Sequence, residues 1–414
     1  MPEGAFAVIV GVPTEVAGGE RRVALTPPVA EDLVEDGHEV CVAAGAGSGA
    51  NFADEEYEAV GCEILDDREA VFDRAEILFQ VRGLGATETA TDPYGEGQVV
   101  VGLLGPYDAT DDALADLADR GVSAFALELM PRISRAQSMD ALSSQASLGG
   151  YQATLLAAEE LPKMFPMEMT AAGTIQPAEV FVIGAGVAGL KAIATAERLG
   201  ASTKGHDVRL EVKQEVESLG ADFVELDLPT EGSGDEEGYA VEMGEEFYEA
   251  QREQMERVVP ESDVLITTAA IPGRPAPEIV TTEMIEDMDD GSVIVDLAAE
   301  TGGNCEPTEA GETVEVDGVR VHGPTDLPSR VATTASQQYA NNCKHFLDNL
   351  LEDGEADFDF EDEVVDSTLL VHDGTVRNPH RDDGGEEADE GGEEDAADGD
   401  DTAADNDGGD GDGD

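Results

Sequence analysis

Lysine is nearly missing from this chain of 414 residues. Only Lys163, Lys191, Lys204, Lys213 and Lys344 occur, and Lys and Arg together number 22 against 94 Asp and Glu, a formal net charge of −72. A surface of that sign repels phosphate backbones and excludes nucleic-acid binding. The four cysteines (Cys41, Cys62, Cys305, Cys343) are scattered, with no C-x-x-C pair. That argues against a metal site and reads as reduced intracellular thiols, most of them in the core. No run approaches the roughly 20 apolar residues of a membrane span. The opening "MPEGAFAVIV" lacks a basic region and a long apolar stretch, so no secretory leader is expected. Histidine is absent between His38 and His206, which removes the commonest acid/base side chain from that part of the chain.

What is present in excess is acid, and it is spread. Residues 381–414 hold 17 acidic residues and one arginine, which leaves −56 on the rest. Such a surface repels itself at ordinary ionic strength. At molar salt the Debye length falls to about 3 Å and the repulsion is screened. The composition resembles that of a protein from a salt-in halophile; an acidic protein with basic partners is the alternative.

Apolar runs and helical patterns alternate along the chain. "AFAVIVG" (5–11), "EVCVAAG" (39–45), "EILFQV" (76–81), "QVVVGLL" (98–104) and "VSAFALEL" (122–129) read as buried parallel strands, separated by helices such as "TDDALADLADRG" (110–121). A long helix follows from about 138 to 163, then a second α/β series from "EVFVIGAGVAGLKA" to about residue 330. An amphipathic helix, 334–354, needs a partner surface. The expected fold class is α/β, with two Rossmann-like doubly wound parallel-sheet domains joined by long helices. The expected division is an N-terminal domain, 1–140, completed by 331–380, and a dinucleotide-binding domain, 141–330. Residues 381–414 have almost nothing to bury and read as a disordered tail. The stretch 228–243, rich in Gly and acid and carrying Tyr239, reads as a functional or mobile loop.

Gly184, Gly186 and Gly189 form G-x-G-x-x-G between a strand and a helix. The first glycine makes the tight turn, the second admits a pyrophosphate, and the third lets strand and helix pack. Val187 and Ala188 open the helix whose N-terminus would face that pyrophosphate. Asp207, eighteen residues past Gly189, is placed to accept from a ribose 2′-OH and to repel a 2′-phosphate. That favours NAD(H) over NADP(H). Arg209, two residues beyond Asp207 and next to Val208, could instead pair with such a phosphate. The strand "DVLITTAAIPGRPAP" ends in Thr268, Ala269 and Ala270, small residues that suit a strand end against a nucleotide.

One polar stretch, "RISRAQSMDALSSQ" (132–145), lies between a strand and a helix. Gln137, Asp140 and Ser143 recur every three residues, so a helical turn places them on one side. Ser134 with Gln137 also spells a capping box. Capping leaves Arg132 and Asp140 unexplained.

"GVPTEVAGGERRVALTP" (11–27) resembles the signature shared by alanine dehydrogenases and the alpha subunit of proton-translocating NAD(P) transhydrogenase, and "VIGAGVAG" resembles their second signature. "PRISRAQSMDALSSQ" resembles the transhydrogenase form alone, and "GSVIVDLAAETGGNCEPT" (291–308) agrees with it; the likeness covers roughly 5–380. The resemblance implies a soluble NAD(H)-binding subunit that exchanges hydride with NADP(H) on another subunit, coupled by a transmembrane subunit to proton movement. It also implies a homodimer, a cytoplasmic place peripheral to the membrane, NAD(H) contacts from Tyr239 as well as the loop residues above, and Arg132, Gln137, Asp140 and Ser143 around the nicotinamide, with Gln137 reaching toward the NADP(H) partner. Alanine dehydrogenases carry a histidine after the strand that here reads "QVVVGLLGPYD". Leu103, Leu104 and Gly105 stand there instead, and their lysine region reads "LFQVRG", with Gln80 and Arg82. An amino-acid dehydrogenase needs an acid/base and cations for its substrate; hydride exchange between nicotinamides needs only alignment.

Overall fold

The computed structural model describes residues 7–86, 92–228, 245–351 and 358–377. The segment 229–244, with Tyr239, and the acidic tail 381–414 lie outside the described residues.

The first half forms six parallel strands: β1 (Ile9–Val12), β2 (Glu39–Ala43), β3 (Glu63–Leu65), β4 (Ile77–Arg82), β5 (Val99–Leu103) and β6 (Ser123–Ala126). They pair in the order β3-β2-β1-β4-β5-β6, so the winding reverses between β1 and β4. Five fall within the predicted apolar runs. The strand β3 went unread because three residues, Glu63, Ile64 and Leu65, are too few to show a period.

A two-stranded hairpin, β7 (Glu168–Thr170) with β8 (Gly173–Ile175), follows the first long helix. It and its approach are apolar yet exposed: Met164 by 47%, Met167 by 54%, Met169 by 76% and Ile175 by 45%.

The second sheet comprises β9 (Glu179–Ile183), β10 (Ser202–His206), β11 (Asp222–Phe223), β12 (Val264–Thr267), β13 (Val293–Asp296), β14 (Thr313–Val316) and β15 (Val319–His322). Its order is β11-β10-β9-β12-β13-β15-β14, reversing between β9 and β12. Only β14 runs antiparallel, as an edge. The chain then returns: β16 (Leu369–His372) pairs antiparallel with β6, and β17 (Thr375–Val376) with β16, closing one edge of the first sheet. The expected all-parallel sheets therefore each carry an antiparallel edge, which a short hairpin can supply without a crossover helix.

Two long helices join the halves. The first spans Ala141–Glu160, shorter at both ends than read from sequence, and lies against the Val187–Leu199 helix. Small residues permit this approach: a Cβ on Gly150 would sit 2.0 Å from the Ala188 carbonyl oxygen. The second, Ala332–Leu350, finds its partner surface on the first sheet. Its Tyr339 hydroxyl donates to the Gln80 carbonyl at 2.6 Å and accepts from the Leu103 N–H at 3.1 Å, and Phe346 meets Phe125 edge-on at 5.5 Å. All four cysteines are free and buried. Among the described residues no helix is long and apolar enough to cross a membrane, and no His, Cys, Asp or Glu cluster could hold a metal ion.

Candidate functional site

The strand β9 ends in a turn that only glycine can make. Gly184 has φ of +91°. A Cβ on Gly189 would fall 1.8 Å from the Gly184 carbonyl oxygen, so the third glycine is required for helix-on-strand contact. Gly186 differs: a Cβ there would meet no atom within 4 Å. It faces open space at the start of the Val187–Leu199 helix, and no side chain caps that helix. The first N–H groups of the helix are thus left for a ligand, and an anion is the natural one.

This turn lines a cavity of about 420 Å³ at the reversal point of the second sheet. Of the predicted residues, Arg132, Ser143, Gly184, Gly186, Val187, Ala188, Asp207, Val208, Arg209, Thr268, Ala269 and Ala270 line it; Gln137, Asp140 and Gly189 do not. Sequence reasoning missed Gln145, His206, Phe247, Gln251 and Glu300, which also line it. Proximity to Asp207 and the polar stretch could have flagged His206 and Gln145. Nothing in "EEFYEAQREQM" marks Gln251.

Asp207 closes β10. Its Oδ2 accepts from the Ala185 N–H of the glycine turn at 2.7 Å and from Arg209 Nη2 at 2.7 Å. Its Oδ1 accepts from the Arg209 main chain at 2.9 Å and from Arg209 Nε at 2.8 Å. Burial works to raise the Asp207 pKa, but the bonds and charge of Arg209 outweigh it and hold the carboxyl below its usual range. His206 next door is 2% exposed. Its Nδ1 lies 2.8 Å from the Val224 carbonyl and its Nε2 lies 3.3 Å from the Gln251 amide nitrogen. The ring therefore donates at Nδ1 and accepts at Nε2, and burial lowers its pKa, keeping it neutral. Gln251 is 1% exposed, and its Oε1 has no hydrogen-bond partner among the described residues. A buried acceptor on the wall of a cavity is an opening for a ligand donor.

The polar stretch divides its labour. Asp140 caps the first long helix, its Oδ1 accepting from the Ser143 N–H at 2.8 Å. The Ser134–Gln137 capping box does not form: Ser134 only begins a one-turn 3-10 helix, Ser134–Ala136, whose cap Ile133 has no side-chain bond. The carboxylate of Asp140, nearer the true start, supplies the acceptor instead. Arg135 forms a two-bond ion pair with Asp362, at 2.7 and 3.0 Å, and so ties the stretch to the returning chain. Gln137 is exposed.

The strand ends of the first sheet are occupied by their own side chains. Glu128 accepts from the Gly105 N–H at 2.7 Å and the Leu104 N–H at 3.1 Å; Glu15 accepts from Val81 at 2.6 Å and Arg82 at 3.0 Å. Burial pushes Glu15 up to about 8 and Glu128 up to about 7. Neither lines the cavity. Gln80 is bonded to Asp92 at 2.7 Å and Tyr94 at 2.5 Å. Arg22 is buried against Glu20 at 2.6 Å and donates to the Gln145 Oε1 at 2.9 Å. Arg82 reaches across to Glu300 at 3.0 Å.

The cavity has the components a dinucleotide requires: an uncapped helix start beyond a glycine turn, a buried carboxylate at the end of the next strand, and small residues, Thr268 to Ala270, at the end of β12. Residues 11–149 match the family described as alanine dehydrogenase/PNT, N-terminal domain, and residues 153–379 match alanine dehydrogenase/PNT, C-terminal domain. The chain is 44% identical over 379 residues to the first of the chains that make up NAD(P) transhydrogenase subunit alpha in Rhodospirillum rubrum, covering 89% of this chain and 98% of that one. The crystal structure of transhydrogenase from Sinorhizobium meliloti superposes with a TM-score of 0.79 at 43% identity, over 89% of this chain and 99% of that one. An L-alanine dehydrogenase structure gives 0.72 at 26% identity, over 89% and 96%. The chain belongs to the alanine dehydrogenase/PNT family, and it shares more sequence with these transhydrogenase chains than with that alanine dehydrogenase.

Proposed function

We propose that this chain is the NAD(H)-binding subunit of a proton-translocating NAD(P) transhydrogenase. NAD(H) binds in the cavity, and hydride passes directly to or from NADP(H) held by a partner subunit. A transmembrane partner subunit couples the exchange to proton movement, and this chain works at the cytoplasmic face of the membrane.

The carrying observation is the wall of the cavity across from the glycine turn. It offers Arg132, Ser143 and Gln145, which bind and orient but do not shuttle protons. The histidine on the lining, His206, is bonded at both nitrogens. Hydride exchange between two nicotinamides makes and breaks no bond to an acidic proton, so alignment is the main task. In this reading Arg132 and Ser143 orient the carboxamide and Asp140 fixes the helix start that carries Ser143. Gln137, exposed and outside the cavity, reaches the NADP(H) side, and Tyr239 contacts the cofactor from the acidic segment. The exposed methionines around the β7–β8 hairpin are the apolar patch a homodimer would cover. The acidic surface suits a cytoplasm of molar salt.

Reconstitution tests the reading. The lone chain binds NADH but leaves pyruvate and ammonia untouched, and gains hydride transfer when the NADP(H)-binding subunit is added. Reductive amination of pyruvate by the lone chain would make it an alanine dehydrogenase.

A further inference from the structure

The Asp207 carboxylate is full. A carboxylate has about four acceptor positions. Here two are taken by main-chain N–H groups, Ala185 and Arg209, and two by the Nε and Nη2 of the Arg209 guanidinium. The Asp207 side chain is 4% exposed, so nothing else reaches it. The two main-chain donors are fixed, one by the glycine turn and one by the backbone of β10's exit. The two guanidinium donors sit on a flexible side chain that itself lines the cavity. A ribose 2′,3′-diol also brings two donors. It can bond to Asp207 only at the two positions that Arg209 is able to leave.

We propose that Arg209 is a stand-in for the adenosine ribose and thereby sets the preference between NADH and NADPH. This rests on the dinucleotide reading of the cavity. The guanidinium competes with the ribose hydroxyls for Asp207, which weakens NADH. Once displaced, it remains beside the ribose as a cation. A 2′-phosphate removes one of the hydroxyl donors and adds negative charge, which Asp207 repels and the displaced Arg209 neutralises. Arg209 therefore disfavours NADH and favours NADPH, so it narrows the discrimination that Asp207 provides.

The opposite signs make the test. NADH, NADPH and reduced nicotinamide mononucleotide, which lacks the adenosine ribose, are titrated at molar salt and about pH 8, with the carboxylate ionised. The chain has no tryptophan, so nicotinamide fluorescence reports binding with little protein background. Arg209→Met should bind NADH about fivefold more tightly, the worth of one net hydrogen bond. It should bind NADPH more weakly by at least as much and leave the mononucleotide unchanged. Arg209→Lys, which can fill only one of the two positions, should tighten NADH about twofold and serves if the methionine variant folds poorly. NADH affinity unchanged or lowered in these variants, or NADPH affinity raised, overturns the proposal. Wild-type protein that binds none of the three nucleotides overturns the dinucleotide reading itself.

Discussion

Asp140 and Asp207 are both acids in the predicted site, and their surroundings give them different work. Asp140 caps a 20-residue helix; Asp140→Ala should cost about 1 kcal/mol of stability, seen as a lower melting temperature, while Asp140→Asn should recover most of it. Asp207 is tied into the glycine turn, and Asp207→Ala should weaken NADH by roughly 1–3 kcal/mol without the loss of a helix cap. Calorimetric titration of NADH in high salt measures the difference, and equal effects of the two alanine variants on binding would contradict the separate roles. Gln137 caps nothing and is exposed. Gln137→Asn should therefore slow hydride transfer in the assembled complex and spare both the melt and NADH affinity. Normal transfer with a lowered melt, read by stopped flow beside a melting curve, would return it to a structural role.

At the level of elements, the glycines separate what the fold needs from what the ligand needs. A Cβ on Gly150 would press on the Ala188 carbonyl at 2.0 Å, where the linking helix meets the Val187–Leu199 helix. Gly150→Ala should push the helices apart, cost about 1–3 kcal/mol, and lower the melting temperature. Gly186 has open space around its Cβ position and φ of −78°, which alanine adopts freely. Gly186→Ala should melt like the parent and lose NADH affinity, because the methyl occupies the approach of the pyrophosphate. An unchanged NADH affinity in a folded Gly186→Ala chain would move the ligand away from this helix start.

Over the whole molecule, buried acids and surface charge set the conditions for stability. Glu15 and Glu128 are raised by burial from an ordinary 4.5 to about 8 and about 7. The folded chain therefore keeps protons that the unfolded chain has released above about pH 4.5. Their contribution is full below that pH and is lost as pH rises through 7 and 8. Glu20 has the opposite sign: burial opposes ionisation, but the bonds and charge of Arg22 lower it to about 2, so its contribution fades as pH falls below about 4.5. In molar KCl the melting temperature should decline from about pH 5 to about pH 8, and Glu15→Gln should flatten that slope. A slope unchanged by the substitution would show that Glu15 ionises freely. With −56 outside the tail, the melting temperature should also climb steeply from low to molar KCl at fixed pH. Deleting 381–414 should change it little, and a midpoint indifferent to salt would contradict the halophilic reading of the surface.

The sequence by itself determined the local chemistry. Apolar runs placed five of the six parallel strands of the first sheet, and Gly184, Gly186 and Gly189 placed the nucleotide turn, because strand burial and positive φ are properties of a few adjacent residues. The absence of histidine from 39 to 205 needed no fold to be seen. Tertiary structure decided what depends on distant partners. The short strand β3 forms because β2 offers an edge, and β16 and β17 return to the first sheet because β6 offers another. The helix cap moved from Ser134 to Asp140 because packing against the Val187–Leu199 helix set where the long helix begins. Gln251 became part of the cavity although no local pattern marks it, because its amide meets His206 from 45 residues away. Arg209 and Asp207 could be read separately as phosphate partner and ribose partner; only their side-chain geometry showed that each occupies the other.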